Sequence, residues 1–330
     1  MKRTLFCIAL AVTAACAFLP AQETGSKLLL AFSSYRERPK HPNIFFYEHD
    51  GVGTGKIVGS VATPRAMASA DSHPTLSQDG KSCAFTFELE NNTGRIQFWD
   101  LKEQKLDVLA AVNTSPNAQM SPSLTGDGKL VAFAAWNRAG AVGQGWHVYL
   151  YDLAGKKFVD LPDLNHSLAD DRMPSLSGDG RFLAFASNRK DGAGLTDLYL
   201  YDRQAGKLVA VPELNSKHMD AQPSLSADGN LIAFVSDRPG GQGGRDIHLF
   251  DRAAGKLLPL PGLNTPSHEH SPSLTADGRF IAFVSERLGG DGERDVYLYD
   301  RAAQKLLPTP GLNSKADDFD PSLIVVKPGE

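Results

Sequence analysis

The sequence predicts an all-β fold, a six-bladed β-propeller of four-stranded antiparallel blades whose C-terminal strand completes the N-terminal blade. Three observations carry this. Pro-Ser-Leu recurs at Pro122, Pro174, Pro223, Pro272 and Pro321, preceded by Pro74-Thr75-Leu76, at spacings of 48, 52, 49, 49 and 49 residues. Each full unit holds four short strand signals. The two chain ends hold complementary fragments of one unit. A unit this short cannot bury both faces of its own sheet, so a repeat of this period implies stacked units.

The first strand of a unit is the Pro-Ser-Leu segment itself. Asp-Gly follows it at Asp79, Asp127, Asp179, Asp228 and Asp277, a tight hairpin signal because glycine accepts positive φ. The second strand is Leu231–Ser236 and its equivalents, the third Asp295–Asp300, the fourth Lys256–Leu260. The middle strands are apolar on both faces and rich in β-branched and aromatic residues, the pattern of a sheet held between two neighbours. The fourth carries Pro259 or Pro308, which cannot donate a ladder hydrogen bond, and begins with Lys256 or Lys305, both marks of an outer edge.

Five full units begin at Pro74, Pro122, Pro174, Pro223 and Pro272. Before them, Leu28–Ser33, Ile44–Tyr47 and Lys56–Val58 match second, third and fourth strands with no first strand. Pro321–Val326 is a first strand with nothing after it. Together they make the sixth blade. An open solenoid, the alternative, would leave both end sheets incomplete. The predicted blades begin near residues 27, 74, 122, 174, 223 and 272, with the closing strand at 321–326 of a single domain spanning 22–330.

Residues 1–21 read as a secretory signal peptide: basic Met1-Lys2-Arg3, an apolar stretch from Leu5 to Leu19, then cleavage after Ala21. The alternative, a buried N-terminal strand, conflicts with Lys2-Arg3. Thr13-Ala14-Ala15-Cys16 is similar to a bacterial lipobox, with Thr where Leu is usual, and a lipidated Cys16 would anchor the chain to a membrane surface. Without residues 1–21 the chain carries 32 basic and 38 acidic residues, a net −6 with no basic stripe, which argues against nucleic-acid binding. Only Cys83 then remains. No intramolecular disulfide is possible, so packing must hold the fold, and Cys83, aligned with Ile232 and Ile281, reads as a core residue.

The unit Pro-Ser-Leu-Ser-x-Asp-Gly-x-x-Ile-Ala-Phe-Val-Ser-(Asp/Glu)-Arg, followed by Asp-(Ile/Val)-Tyr-Leu-Tyr-Asp, resembles the WD40-like repeat (PD40) of TolB-type propellers over about residues 27–326. Leu76, Leu124, Leu176, Leu225 and Leu274 stand where such repeats usually carry Trp, and the chain has no room for the α/β domain that precedes the TolB propeller. The resemblance implies a bacterial envelope propeller used for protein–protein contact.

Several constellations invite chemistry. The glycine-rich segments Gly240–Gly244 and Gly289–Gly292 match neither a Walker loop nor a calcium nonapeptide and read as connections. Arg189, Arg238 and Arg287 precede such loops and Asp197, Asp246 and Asp295 follow, so cross-strand pairs bracing each hairpin are expected. No Gly-x-Ser-x-Gly elbow or His-Glu-x-x-His is present. Of nine histidines, only His268-Glu269-His270 cluster in sequence, a candidate metal site, with His73 or His218 able to approach across the ring. Three residues before each proline stand Asp71, Gln119, Asp171, Asp220, Glu269 and Asp318, five of them acidic. If first strands line a central channel, these circle its mouth on the face that carries the longest loops. Two roles compete there: each carboxylate caps its own loop, or the ring attracts a basic peptide or a hard cation such as calcium.

The function these readings favour is a non-enzymatic scaffold, periplasmic or extracellular and monomeric. It needs no cofactor, calcium excepted, and binds an envelope protein or peptide. The rivals are a lyase of acidic polysaccharides with a metal at the channel mouth, against which the acidic ring argues, and a glycan-binding propeller, for which the long loops hold few aromatics besides Trp136 and Trp146.

Overall fold

The computed structural model describes residues 25–61, 69–89, 93–138, 143–165 and 168–328. The expected signal peptide, Cys16 and His166 lie outside them. Blade 1 takes β1 (Lys27–Ser34), β2 (Asn43–His49) and β3 (Gly55–Ser60) from the chain start. Blade 2 is β4 (Ala70–Leu76), β5 (Ser82–Glu88), β6 (Gly94–Asp100) and β7 (Lys105–Asp107). Blade 3 is β8 (Gln119–Leu124), β9 (Leu130–Trp136), β10 (Trp146–Asp152) and β11 (Lys157–Val159). Blade 4 is β12 (Asp171–Leu176), β13 (Phe182–Ser187), β14 (Asp197–Asp202) and β15 (Lys207–Val209). Blade 5 is β16 (Asp220–Leu225), β17 (Leu231–Ser236), β18 (Asp246–Asp251) and β19 (Lys256–Leu258). Blade 6 is β20 (Glu269–Leu274), β21 (Phe280–Ser285), β22 (Asp295–Asp300) and β23 (Lys305–Leu306). The last strand, β24 (Asp318–Val326), pairs antiparallel with β1, Leu30 facing Leu323, and supplies the missing inner strand of blade 1.

Each blade is thus a four-stranded antiparallel meander, and the ring is closed by its two ends as the split repeat predicts. Two boundaries differ from the expected ones. Outer strands stop before the proline, β19 at Leu258, because Pro259 has no amide to donate. Inner strands start three or four residues earlier, at or beside the Asp, Glu or Gln position, because the chain pairs there before it bulges.

The core lies between blades. A phenylalanine near the centre of every second strand (Phe32, Phe85, Phe133, Phe185, Phe234, Phe283) is completely buried, and six apolar clusters join neighbouring sheets. Cys83 sits in one of them, its thiol pushed well above the usual range by burial. Among the described residues no helix is long and apolar enough to cross a membrane.

Hydrogen bonds also run round the ring. The amides of Leu124, Leu176, Leu225, Leu274 and Leu323 each donate to the Ser or Thr hydroxyl of the preceding blade. Leu76 completes the circle by donating to Ser322 Oγ at 2.9 Å. The serine of Pro-Ser-Leu is therefore the inter-blade fastener. Removal of residues 321–330 deletes two of these links and bares the edge of β1. The truncated chain is expected to lose about 4 kcal/mol or more in a denaturant melt, and an unchanged midpoint would contradict ring closure.

Candidate functional site

The site is built on the inner strands. Each first strand carries a bulge where the ladder register slips, at Ser72/Thr75, Met120/Ser123, Arg172/Ser175, Ala221/Ser224 and His270/Ser273, and opposite Ala31/Ser33 for β24. The residue before each proline sits there in the left-handed region: His73, Ser121, Met173, Gln222, Ser271 and Asp320, with φ between 50° and 55°. For non-glycine residues this conformation costs about 1 kcal/mol or more. It turns these six side chains out of the sheets, and with the six prolines they line a channel cavity of about 160 Å³.

The channel lining is asymmetric. Ser271 donates its amide to Gln222 Oε1 at 2.9 Å, and the Asp320 carboxylate lies 3.5 Å from Ser271 Oγ and 3.8 Å from His73 Nε2. The His73 ring is held by Ser72 Oγ at 2.9 Å, which donates to Glu88. One side of the channel is therefore polar, while Met173 is the large apolar side chain on the other.

The six residues of the expected acidic ring stand behind this lining. Asp71, Gln119, Asp171, Asp220, Glu269 and Asp318 are at most 1% exposed. The reason is geometric. Strand faces in a propeller point at the neighbouring blades, and only the bulged residue escapes the sheet toward the channel. Four of the acids meet an arginine: Arg36–Asp318 at 2.7 Å, Arg189–Asp171 at 3.0 Å, Arg238–Asp220 at 2.6 Å and Arg287–Glu269 at 3.6 Å. Each arginine also donates to the carbonyl of a buried leucine in the preceding loop, Leu312, Leu164, Leu214 or Leu263. Each lies over the ring of a second-strand phenylalanine, 5.0 to 5.4 Å from the centroid.

This corrects the expected Arg–Asp bracing. Arg189, Arg238 and Arg287 reach back to the first strand, and Asp197, Asp246 and Asp295 instead gather the glycine loops. Gly194 N donates to Asp197 at 3.0 Å, Gln242 N to Asp246 at 3.0 Å and Gly292 N to Asp295 at 3.1 Å. A Cβ at Gly241 or Gly290 would collide with the carboxylate, so glycine is required for the close approach. Burial raises the Asp197 and Asp295 carboxyls above their ordinary range.

Blade 3 departs from this scheme consistently. Gln119 replaces the acid, and Arg138 turns to the Val112 carbonyl and packs on Phe158. His147 takes the register position of Asp197, and burial pushes its imidazole toward the neutral form.

Sequence reasoning missed a second clamp. Asn113, Asn165, Asn215, Asn264 and Asn313 each bond through the side-chain amide to both backbone groups of one third-strand residue (Ile96, Val148, Leu198, Ile247 and Val296), at 2.7 to 3.0 Å. The signal was present: an apolar residue followed by Asn ends every outer-strand segment from blade 2 to blade 6.

The candidate metal triplet is not brought together. His268 is exposed in the loop, Glu269 is buried beside Thr265, Ser285 and Arg287, and His270 lies next to Ser271 with its Nε2 4.0 Å from Glu286. Among the described residues no three His, Cys, Asp or Glu side chains gather as a ligand set.

Residues 63–316 match the family described as the TolB β-propeller domain, PD40. The chain belongs to this family. Solved structures agree on the fold of this PD40 protein. TolB from Acinetobacter baumannii superposes with a TM-score of 0.63 at 18% identity, over 90% of this chain and 66% of that one. A TolB-type protein from Agrobacterium tumefaciens gives 0.57 at 17% identity over 92% and 98%. Oligogalacturonate lyase from Vibrio parahaemolyticus gives 0.52 at 12% identity over 84% and 72%. The PD40 chain spans just under two thirds of the Acinetobacter TolB length. No curated protein matches.

Two predictions follow from the clamp. Asp220→Asn leaves Arg238 buried beside a neutral amide and is expected to cost about 3 kcal/mol in chemical denaturation; a stability equal to the parent would remove the clamp from the account. His248 sits where three other blades place Tyr149, Tyr199 and Tyr297 under an arginine. Burial first, and then Arg238, lower its pKa, so the unfolded chain takes up a proton near pH 6.5 before the folded one does. Stability is therefore retained above that pH and lost as the pH falls toward the folded value. His248→Tyr should flatten this acid limb of the melting curve, and a slope unchanged from the parent would count against it.

Proposed function

We propose that this PD40 propeller is a non-enzymatic scaffold of the bacterial envelope that binds a partner protein or peptide on its loop face. The observation that carries the reading is the exposed apolar surface there. Leu168, Leu195 and Leu288 are 79%, 84% and 98% exposed, on the connections of that face. Isolated exposed leucines are common, but three leucines on clamped connections of one face fit a docking surface. The likeness to TolB structures supports the fold side of this reading, and the reading of residues 1–21 as a signal peptide supports export.

In this reading the six buried residues behind the channel serve the fold, and calcium has no part in partner binding. A calcium titration that changes partner affinity would count against that. The rival, a lyase of acidic oligosaccharides, shares the propeller with the Vibrio enzyme, and that likeness carries the fold alone. His73 beside Asp320 at the channel is its best foothold.

The test is capture from envelope extracts by the immobilised protein. Leu195→Asp with Leu288→Asp should reduce capture of a specific partner at least about tenfold. Val52→Asp, on the opposite face and 77% exposed in the parent, should leave capture intact. Equal loss from both faces, or oligogalacturonate cleavage by the parent protein, would overturn the reading.

A further inference from the structure

We infer that the seam between blades 6 and 1 forms a groove for an acidic peptide segment of the partner, an inference that rests on the loop-face reading. The β1–β2 connection differs from its counterparts. Where the β17–β18 and β21–β22 connections run through glycines, residues 35–42 read Tyr-Arg-Glu-Arg-Pro-Lys-His-Pro, with three Arg or Lys, one acid and two prolines. Together with the β21–β22 and β23–β24 connections it bounds a groove of about 800 Å³ walled by Tyr35, Pro39, Lys40, Arg294, Lys315 and Asp317.

Charge decides what fits. The acids near the groove are largely engaged: Asp318 with Arg36 at 2.7 Å, and Asp317 with Arg294 at 2.7 Å through two nitrogens. Glu293 remains in the lining as an exposed acid, and Glu37 and Asp291 are exposed outside it on the β1–β2 and β21–β22 connections. Lys40 and Lys315 are exposed and form no ion pair among the described residues. Set against Glu293, Lys40 and Lys315 leave the groove one positive charge in excess, and two ammonium groups without an ion pair attract carboxylates and give charge-assisted hydrogen bonds.

The groove is also pre-shaped. Tyr35 stacks on Phe319 with centroids 5.4 Å apart, and the Arg294 guanidinium lies 4.8 Å from the same ring. Arg36 is tied to Asp318 and to the Leu312 carbonyl, so the basic loop is fastened to both sides of the seam. Pre-ordered walls reduce the entropy lost on binding. A peptide is favoured over an acidic sugar by the neighbouring apolar surface. The loop that supplies Arg294 also carries Leu288, 98% exposed, and one face of Tyr35 is covered by Phe319 instead of being open to stack on a sugar ring.

The probe is a fluorescein-labelled peptide, Gly-Glu-Glu-Leu-Glu-Glu-Leu-Gly, read by fluorescence anisotropy on the full chain at low salt. Versions with Lys or Ser in place of Glu, and labelled hexagalacturonate, run alongside. The acidic peptide should bind, and the Lys and Ser versions should bind at least about tenfold more weakly. Raising the salt should weaken the acidic complex. Lys40→Glu with Lys315→Glu should abolish binding with an unchanged melt. Lys190→Glu with Lys217→Glu, the same charge change elsewhere on the loop face, should alter affinity less than about twofold. Equal loss in both double variants, preference for the Lys peptide, or hexagalacturonate binding without peptide binding would overturn the groove. If Lys40→Glu with Lys315→Glu leaves partner capture intact while Leu195→Asp with Leu288→Asp abolishes it, the groove fails and the loop-face scaffold stands.

Discussion

A largely buried arginine with three partners organises this propeller. Arg36, Arg189, Arg238 and Arg287 each join a first-strand acid, a loop carbonyl and a phenylalanine ring. Charges that deep are tolerated only when the guanidinium and the carboxylate satisfy each other and the remaining N–H groups find acceptors. The leucine carbonyl is that acceptor, and it belongs to the loop that enters the same blade. The clamp therefore fixes where each loop-face connection begins, and the asparagine clamp one residue later ties the same loop to the third strand. Surface loops on such anchors can carry exposed leucines and lysines in fixed positions.

The channel follows from a different constraint. Regular inner strands would aim every side chain at a neighbouring blade and leave the axis lined by backbone. The left-handed residue before each proline breaks that regularity six times and delivers one side chain per blade to the axis. The strain recurs in all six blades, which marks it as part of the architecture. Chemical identity varies only at that residue, from histidine through methionine to aspartate.

The repeat made the fold legible. Even spacing, Asp-Gly turns, edge prolines and the split terminal unit each point to the same closed ring, and the ladder β24–β1 bears this out. The family resemblance was legible in the same residues. The site was less so. The acids three residues before each proline were visible as a pattern, but their burial depends on a bulge that no residue type announces. The arginine partners were visible too, and sequence distance suggested Asp197, Asp246 and Asp295. The glycine loops close on those aspartates, which leaves the arginines to the first strand.

The sequence by itself determined the number of blades, the strand order, the closure and the position of the core, because these depend on periodicity and turn chemistry, which are local. The tertiary structure alone decided which charges are neutralised and which meet solvent. That depends on strand register and on contacts between residues some 18 to 280 positions apart, such as Arg238 with Asp220 and Arg36 with Asp318. Hence an acidic pattern in the chain lies buried and mostly paired behind the channel, and two connections at the seam carry Lys40 and Lys315, exposed and without an ion pair.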